Sequence, residues 1–185
     1  ICNELEKIDG VSSFESDRWN RTDGGGGRTN TIKDGAVIEK GGVAFSEVFG
    51  AVSDQMSKQL KLNGESFFAT GVSIVLHSKA IHHPIIHMNI RYFEMDEGQY
   101  WFGGGIDLTP IYVDESLASS FHLKLKALCD QYDTSIYDRF KNWADDYFFL
   151  PHRNESRGIG GIFFDHFSES ESMSKEQIFE FCIGL

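Results

Sequence analysis

The sequence predicts an α+β fold built on a large, mainly antiparallel β-sheet flanked by helices on both faces. Strand-like runs come in sequence-adjacent groups, helical stretches follow them instead of alternating strictly with them, and the glycine runs lack dinucleotide-fingerprint spacing or a phosphate-loop lysine. A chain of 185 residues, 41% hydrophobic and 24% charged, fits one compact domain spanning 1–185.

The first forty residues are rich in Gly, Asp, Asn and Thr, and their glycine run at 24–27 and Asp34-Gly35 pair predict short strands joined by tight turns. Segments 43–49 (VAFSEVF) and 67–76 (FFATGVSIVL) have strand composition, with the more helical SDQMSKQLKL at 53–62 between them. Segment 85–93 (IIHMNIRYF) alternates, with Ile86, Met88, Ile90 and Tyr92 on one face and His87, Asn89, Arg91 and Phe93 on the other. The apolar run at 99–113 is interrupted by three glycines at 103–105, which bare the sheet surface just before Asp107. Leu117, Phe121, Leu125 and Leu128 mark one helix; Ile136, Phe140, Trp143, Ala144 and Tyr147 mark a second. GIGGIFFD at 158–165 reads as another glycine-rich strand, and Ser174 with Gln177 has capping-box spacing for a final helix.

The charge of −11 and the absence of a basic run exclude nucleic acid as a partner. A polyanionic small ligand would need a few arginines gathered locally, so individual arginines carry more information than the net charge. Sixteen Phe, six Tyr and three Trp serve chiefly as core filling, with pocket lining for a planar ligand as their second use. Cys2, Cys129 and Cys182 are odd in number and lack C-x-x-C spacing, which fits a reducing compartment better than a disulfide framework or thiolate zinc site. No apolar stretch approaches the roughly 20 residues of a membrane span, and no signal-peptide pattern opens the sequence, so a soluble protein is expected.

His87, Asn89 and Arg91 form a polar row at roughly 7 Å steps, enough to engage one extended ligand; the bland alternative is a solvated strand face. Arg91 suits a carboxylate fork and His87 a proton exchange near neutral pH. Asp107 either reaches a ligand lying on the bare glycines or caps a turn before Pro110. Arg153 and Arg157 flank a polar stretch, with Glu155 available to neutralise one of them. His77, His82, His83, His87 and, farther off, His122 invite a metal reading, which their spacing does not enforce.

FGGGIDLTPIY at 102–112, HMNIRYFE at 87–94, DDYFFLPHRNESRGIGGIFFD at 145–165 and DGGGG at 23–27 resemble signature blocks of the oxygen-dependent coproporphyrinogen III oxidase family, in that family's order. The resemblance implies a flat antiparallel sheet flanked by helices, a homodimer, and a deep cleft for coproporphyrinogen III. It implies oxidative decarboxylation of two propionates to vinyl groups, giving protoporphyrinogen IX, with dioxygen as co-substrate and no redox cofactor. By the same resemblance His87 is the proton donor, Asp107 meets the pyrrole N–H groups, Arg157 binds a propionate, and Ser73, Asn89, Ile90 and Arg91 contact substrate. His77, His87, His122 and His152 match histidines described as ligands of a divalent metal, although family members are also described as metal-free. Pro84-Ile85-Ile86 departs from the family's Pro-Thr pair.

The family continues past Leu185, so the chain is expected to lack a C-terminal portion. Two other readings follow: an inactive tetrapyrrole-binding fragment, or a His-ligated metal-dependent oxygenase. A cytoplasmic location is expected, with the mitochondrial intermembrane space or a plastid as the alternative if a targeting segment lies outside the sequence.

Overall fold

The computed structural model describes residues 1–53, 57, 64–170 and 172–185. After helix α1 (Cys2–Asp9) come the strands β1 (Glu15–Asn20), β2 (Gly25–Lys33), β3 (Ile38–Ala51), β4 (Ser66–Ser78), β5 (Ile85–Met95) and β6 (Tyr100–Thr109). Helices α2 (Glu115–Cys129) and α3 (Ile136–Tyr147) follow, then a small hairpin of β7 (Phe149–Leu150) and β8 (Glu155–Ser156), then β9 (Gly161–Phe167) and helix α4 (Lys175–Gly184). The helix expected over 53–62 falls, apart from Ser53 and Ser57, outside the described residues.

β1 to β6 run as an antiparallel meander in chain order, and β9 returns to pair antiparallel with β6, giving the order β1-β2-β3-β4-β5-β6-β9. This is the α+β, antiparallel architecture that the grouped strands predict. Helical side chains meet both faces, unequally. Directly opposed residues in antiparallel strands share a face, so Ile74, Met88 and Ile106 lie on one side. That side carries the main core, where Phe102, Ile162, Phe164 and Phe167 of the sheet meet Leu125, Phe140, Ile178 and Phe181 of the helices. Phe140, Phe164 and Phe181 are almost wholly buried and pack as a ring cluster with centroids 5.0 to 6.1 Å apart. Burial of each phenyl contributes about 1.5–3 kcal/mol, before the cost of ordering it. Among the described residues only the end of α3 crosses the β9 edge, where Tyr147 stacks on Phe163 at 4.1 Å on the opposite side of the sheet.

The caps follow the sequence. Asp114 accepts from the N–H groups of Ser116 and Leu117 to open α2, and Ser174 with Gln177 forms the capping box of α4. Helix α1 departs from the strands and loops expected over the first forty residues. Its periodicity is short, and its anchorage is tertiary: Gly10 closes it in a left-handed conformation, and the buried Asp9 carboxylate reaches the β2–β3 turn. There it accepts from the N–H groups of Ala36, Val37 and Ile38 at 3.1, 3.0 and 2.8 Å, and from Val11 and Ser12 beside the helix. Gly35 is required for this approach, because a Cβ there would lie 2.1 Å from Asp9 Oδ2.

These N–H donors, that of Ile38 foremost, hold the Asp9 carboxyl well below the usual carboxylate range. A lowered folded value means that the stabilisation is complete above the unfolded value of about 4 and fades as pH falls through the folded one. Asp9→Asn is therefore expected to lower the melting temperature at pH 7, with the gap to the parent narrowing below about pH 4. Thermal melts across pH check this, and a pH-independent gap contradicts it.

Candidate active site

The face opposite the main core is shaped by what its residues lack. Reading across from β2 to β6, one row is Thr29, Ala44, Ser73, Asn89 and Gly105, and the next is Gly27, Ser46, Gly71, Arg91 and Gly103. A third row, Thr31, Gly42, Val75, His87 and Asp107, ends at Gly161 of β9. Small side chains over so many strands leave a broad, shallow floor from which Asn89, Arg91, His87 and Asp107 rise together. Two cavities of about 370 and 420 Å³ sit on this floor and share Ser73, Asn89 and Arg91 as lining. They form one cleft, walled at the β9 edge by Tyr147, Phe148 and Phe163.

Asp107 is its anchor. The side chain is only 3% exposed, and Oδ1 accepts from Arg157 Nη2 at 2.8 Å. Oδ2 lies 3.3 Å from His87 Nδ1, on the residue directly opposite in β5. Asp107 Oδ2, His87 Nδ1 and Arg157 Nε are buried without a well-directed hydrogen bond, so the trio keeps unspent donor and acceptor capacity. Arg157 is placed by the β7–β8 hairpin: its N–H donates to the Phe148 carbonyl at 2.9 Å and its guanidinium lies 4.2 Å from the centre of the Phe148 ring. Glu155 pairs with Arg153 at 2.6 Å on the surface and leaves Arg157 to Asp107. The turn-capping alternative for Asp107 gives way to this role inside β6.

Further along the same face, Arg91 donates from Nη1 to Asn89 Oδ1 at 3.0 Å and places Nη2 3.0 Å from Asp165 Oδ1. Around Asp107 and Arg91 the cleft offers two guanidinium groups for carboxylates, the His87 imidazole for proton transfer, and a buried carboxylate as acceptor for N–H groups.

The family model described as coproporphyrinogen III oxidase matches residues 1–185. The chain belongs to the coproporphyrinogen III oxidase family. The human mitochondrial oxygen-dependent coproporphyrinogen-III oxidase is 47% identical over an alignment covering 98% of this chain and 42% of the human protein. The Drosophila melanogaster enzyme is likewise 47% identical, over 98% of this chain and 49% of its own. That of Prochlorococcus marinus (strain NATL2A) is 48% identical, over 96% and 51%. The chain spans about half the length of the curated relatives it matches.

In this coproporphyrinogen oxidase family member, His87, Asp107, Ser73, Asn89, Arg91 and Arg157 all line the one cleft. Ile90 does not share their face: its side chain packs with the helix-covered core. The four histidines expected as metal ligands are not brought together. His122 spends Nε2 on the Ile159 carbonyl at 2.9 Å and Nδ1 on the Tyr137 hydroxyl at 3.0 Å, which ties α2 to α3 and to the approach of β9. His152 lies exposed in the β7–β8 turn and His77 near the end of β4. Among the described residues no group of three or more His, Cys, Asp or Glu side chains is arranged to hold a metal, so the residues present do not fit that ligand set. Asp165, Tyr147, Phe148 and Phe163 escaped the sequence reading. Tyr147 was legible only as part of a helix, and its stacking on Phe163 across the sheet edge depends on where β9 pairs.

Arg157→Ala removes the partner of a buried carboxylate and is expected to destabilise the fold by about 1–3 kcal/mol. Asp107→Asn in the same chain should restore part of that loss by removing the unpaired charge. Denaturant unfolding of the single and double variants checks both, and a double variant no more stable than Arg157→Ala contradicts the account.

Proposed function

We propose that the chain supplies the substrate cleft and the acid–base groups of an oxygen-dependent coproporphyrinogen III oxidase. In this reading two propionates of coproporphyrinogen III become vinyl groups and protoporphyrinogen IX is formed. Each conversion breaks one C–C bond to release carbon dioxide and removes a hydrogen from the neighbouring carbon. The two electrons and two protons liberated per propionate pass to dioxygen, so no redox cofactor takes part. The observation that carries the proposal is the nearly inaccessible Asp107 carboxylate, opposed by His87 and bridged to Arg157, beside a floor bared by Gly103 and Gly105.

On this reading the macrocycle rests on the small-residue floor, where no Cβ stands in its way between Asn89 and Phe163. Arg91 and Arg157 fix propionates by forked hydrogen bonds, and Asp107 offers acceptor capacity to pyrrole N–H groups. An electron-rich pyrrole held in this way meets dioxygen without a metal, and His87 takes or returns the proton as the carboxylate departs. Walls of Tyr147, Phe148 and Phe163 keep water from the departing carboxylate, which favours its loss.

A homodimer and a cytoplasmic site belong to the same proposal. Family resemblance supports the first, and the three unbridged cysteines, two of them buried, support a reducing compartment. The human and mouse relatives are named as mitochondrial, and the Prochlorococcus relative at nearly equal identity is not. Among the described residues no helix is long and apolar enough to cross a membrane.

In the full-length protein, Asp107→Ala and His87→Ala are each expected to lower kcat for coproporphyrinogen III by at least about 100-fold, as loss of an acid–base group does. Turnover measured by oxygen uptake and porphyrin fluorescence checks this. Near-normal rates would remove both assignments.

A further inference from the structure

The cleft contains a second carboxylate–guanidinium–imidazole set, Asp165, Arg91 and His166, of which the roles above use only Arg91. In β9, Phe164 pairs with Gly104 and Phe167 with Phe102, so Asp165 and His166 together oppose the single residue Gly103. This is a β-bulge. It turns two consecutive side chains toward the cleft face, where regular alternation would deliver one. His166 is held at φ 49°, a left-handed conformation uncommon outside glycine, and its N–H donates to Asp165 Oδ1 at 3.0 Å. Its ring stacks on Trp101 with centroids 4.7 Å apart, and its Nδ1 lies 3.6 Å from Asp165 Oδ2. Asp165 Oδ1 lies 3.0 Å from Arg91 Nη2, while Arg91 Nη1 is engaged by Asn89.

The arrangement repeats the first set, in which Asp107 stands between Arg157 on one oxygen and His87 on the other. The two stations lie on one face, four residues apart along β6, or about 13 Å. Gly103 is what admits the second. A Cβ there would stand 2.6 Å from Asp165 Oδ1 and 2.7 Å from Arg91 Nε, so the ion pair occupies the space that the glycine leaves. Held on two sides, Arg91 keeps N–H donors to spare and has lost most of its rotamer freedom before any ligand arrives.

We propose that Asp165, carried by the Asp165–His166 bulge, is a positioning residue for Arg91, and that the two form a docking station for a ligand carboxylate remote from Asp107. This inference rests on the functional proposal, whose tetrapyrrole carries several carboxylates, and it assigns the distal guanidinium to one that is held while another reacts at His87 and Asp107. Asp165 acts through Arg91 and does not touch the reacting atoms.

The test is a fluorescence titration of the full-length protein with coproporphyrin, the stable oxidised tetracarboxylate, together with steady-state kinetics. Asp165→Asn is expected to raise Kd and KM by about tenfold, the value of one charged hydrogen bond, with kcat changed less than about threefold. In an Arg91→Ala background Asp165→Asn should add nothing, because the group it positions is already gone. Gly103→Ala, which drives a methyl group into both partners, should reproduce the loss and stands in if Asp165→Asn fails to fold. Parent affinity in both Asp165→Asn and Gly103→Ala, or losses that add in the double variant, would overturn the inference alone. A parent protein that takes up no coproporphyrin would overturn the functional proposal and this inference together.

Discussion

A carboxylate that is almost wholly removed from water must be paired, and the pairing of Asp107 with Arg157 is the constraint around which this structure is arranged. The two residues are fifty positions apart in the chain. Closing that distance requires α3 to end at the β9 edge, the β7–β8 hairpin to fold back so that the Arg157 N–H meets the Phe148 carbonyl, and β9 to press against β6. Gly161 permits the last of these, since a Cβ there would lie 1.8 Å from the Ile106 carbonyl oxygen. The glycine that opens β9 is thus a condition of burying Asp107.

The sheet separates two kinds of surface. One face gathers phenyl rings into the main dry core; the other, beyond an aromatic patch of Phe67, Phe93 and Trp101, is reduced to small residues from which the convergent polar groups rise. The largest cavity among those described, about 710 Å³, lies on the core side between α1 and α2, and is lined mainly by apolar residues such as Leu5, Leu76, Ile106 and Leu117. Size alone would place the site there. The proposed function puts it on the other face, because a carboxylate-rich ligand would need guanidinium partners, and those of Arg91 and Arg157 stand on the glycine-bared floor.

How much was legible in the sequence depended on how local the cause was. The alternation of Ile86, Met88 and Ile90 against His87, Asn89 and Arg91 is a period-two signal, and β5 obeys it residue by residue. The glycines before Asp107 announced a bared surface, and that is what lies beside Asn89 and Arg91. Helix α1 was not legible, because it is fixed by Asp9 reaching three N–H groups nearly thirty residues away. Asp165 was missed for the same reason: a bulge is a count mismatch between two strands, and one strand's sequence does not contain it. The histidines show the limit of residue type. His122 suits a metal by type, yet its half-buried ring is hydrogen-bonded to Tyr137 and Ile159, the packing role that its spacing equally allowed.

The most direct test is a crystal structure of the full-length protein with coproporphyrin bound. The macrocycle should lie over Gly103 and Gly105, with its inner nitrogens turned to Asp107 and carboxylates on Arg91 and Arg157. A porphyrin seated instead among Leu76, Ile106 and Leu117, on the helix-covered side of the sheet, would contradict the account at its centre.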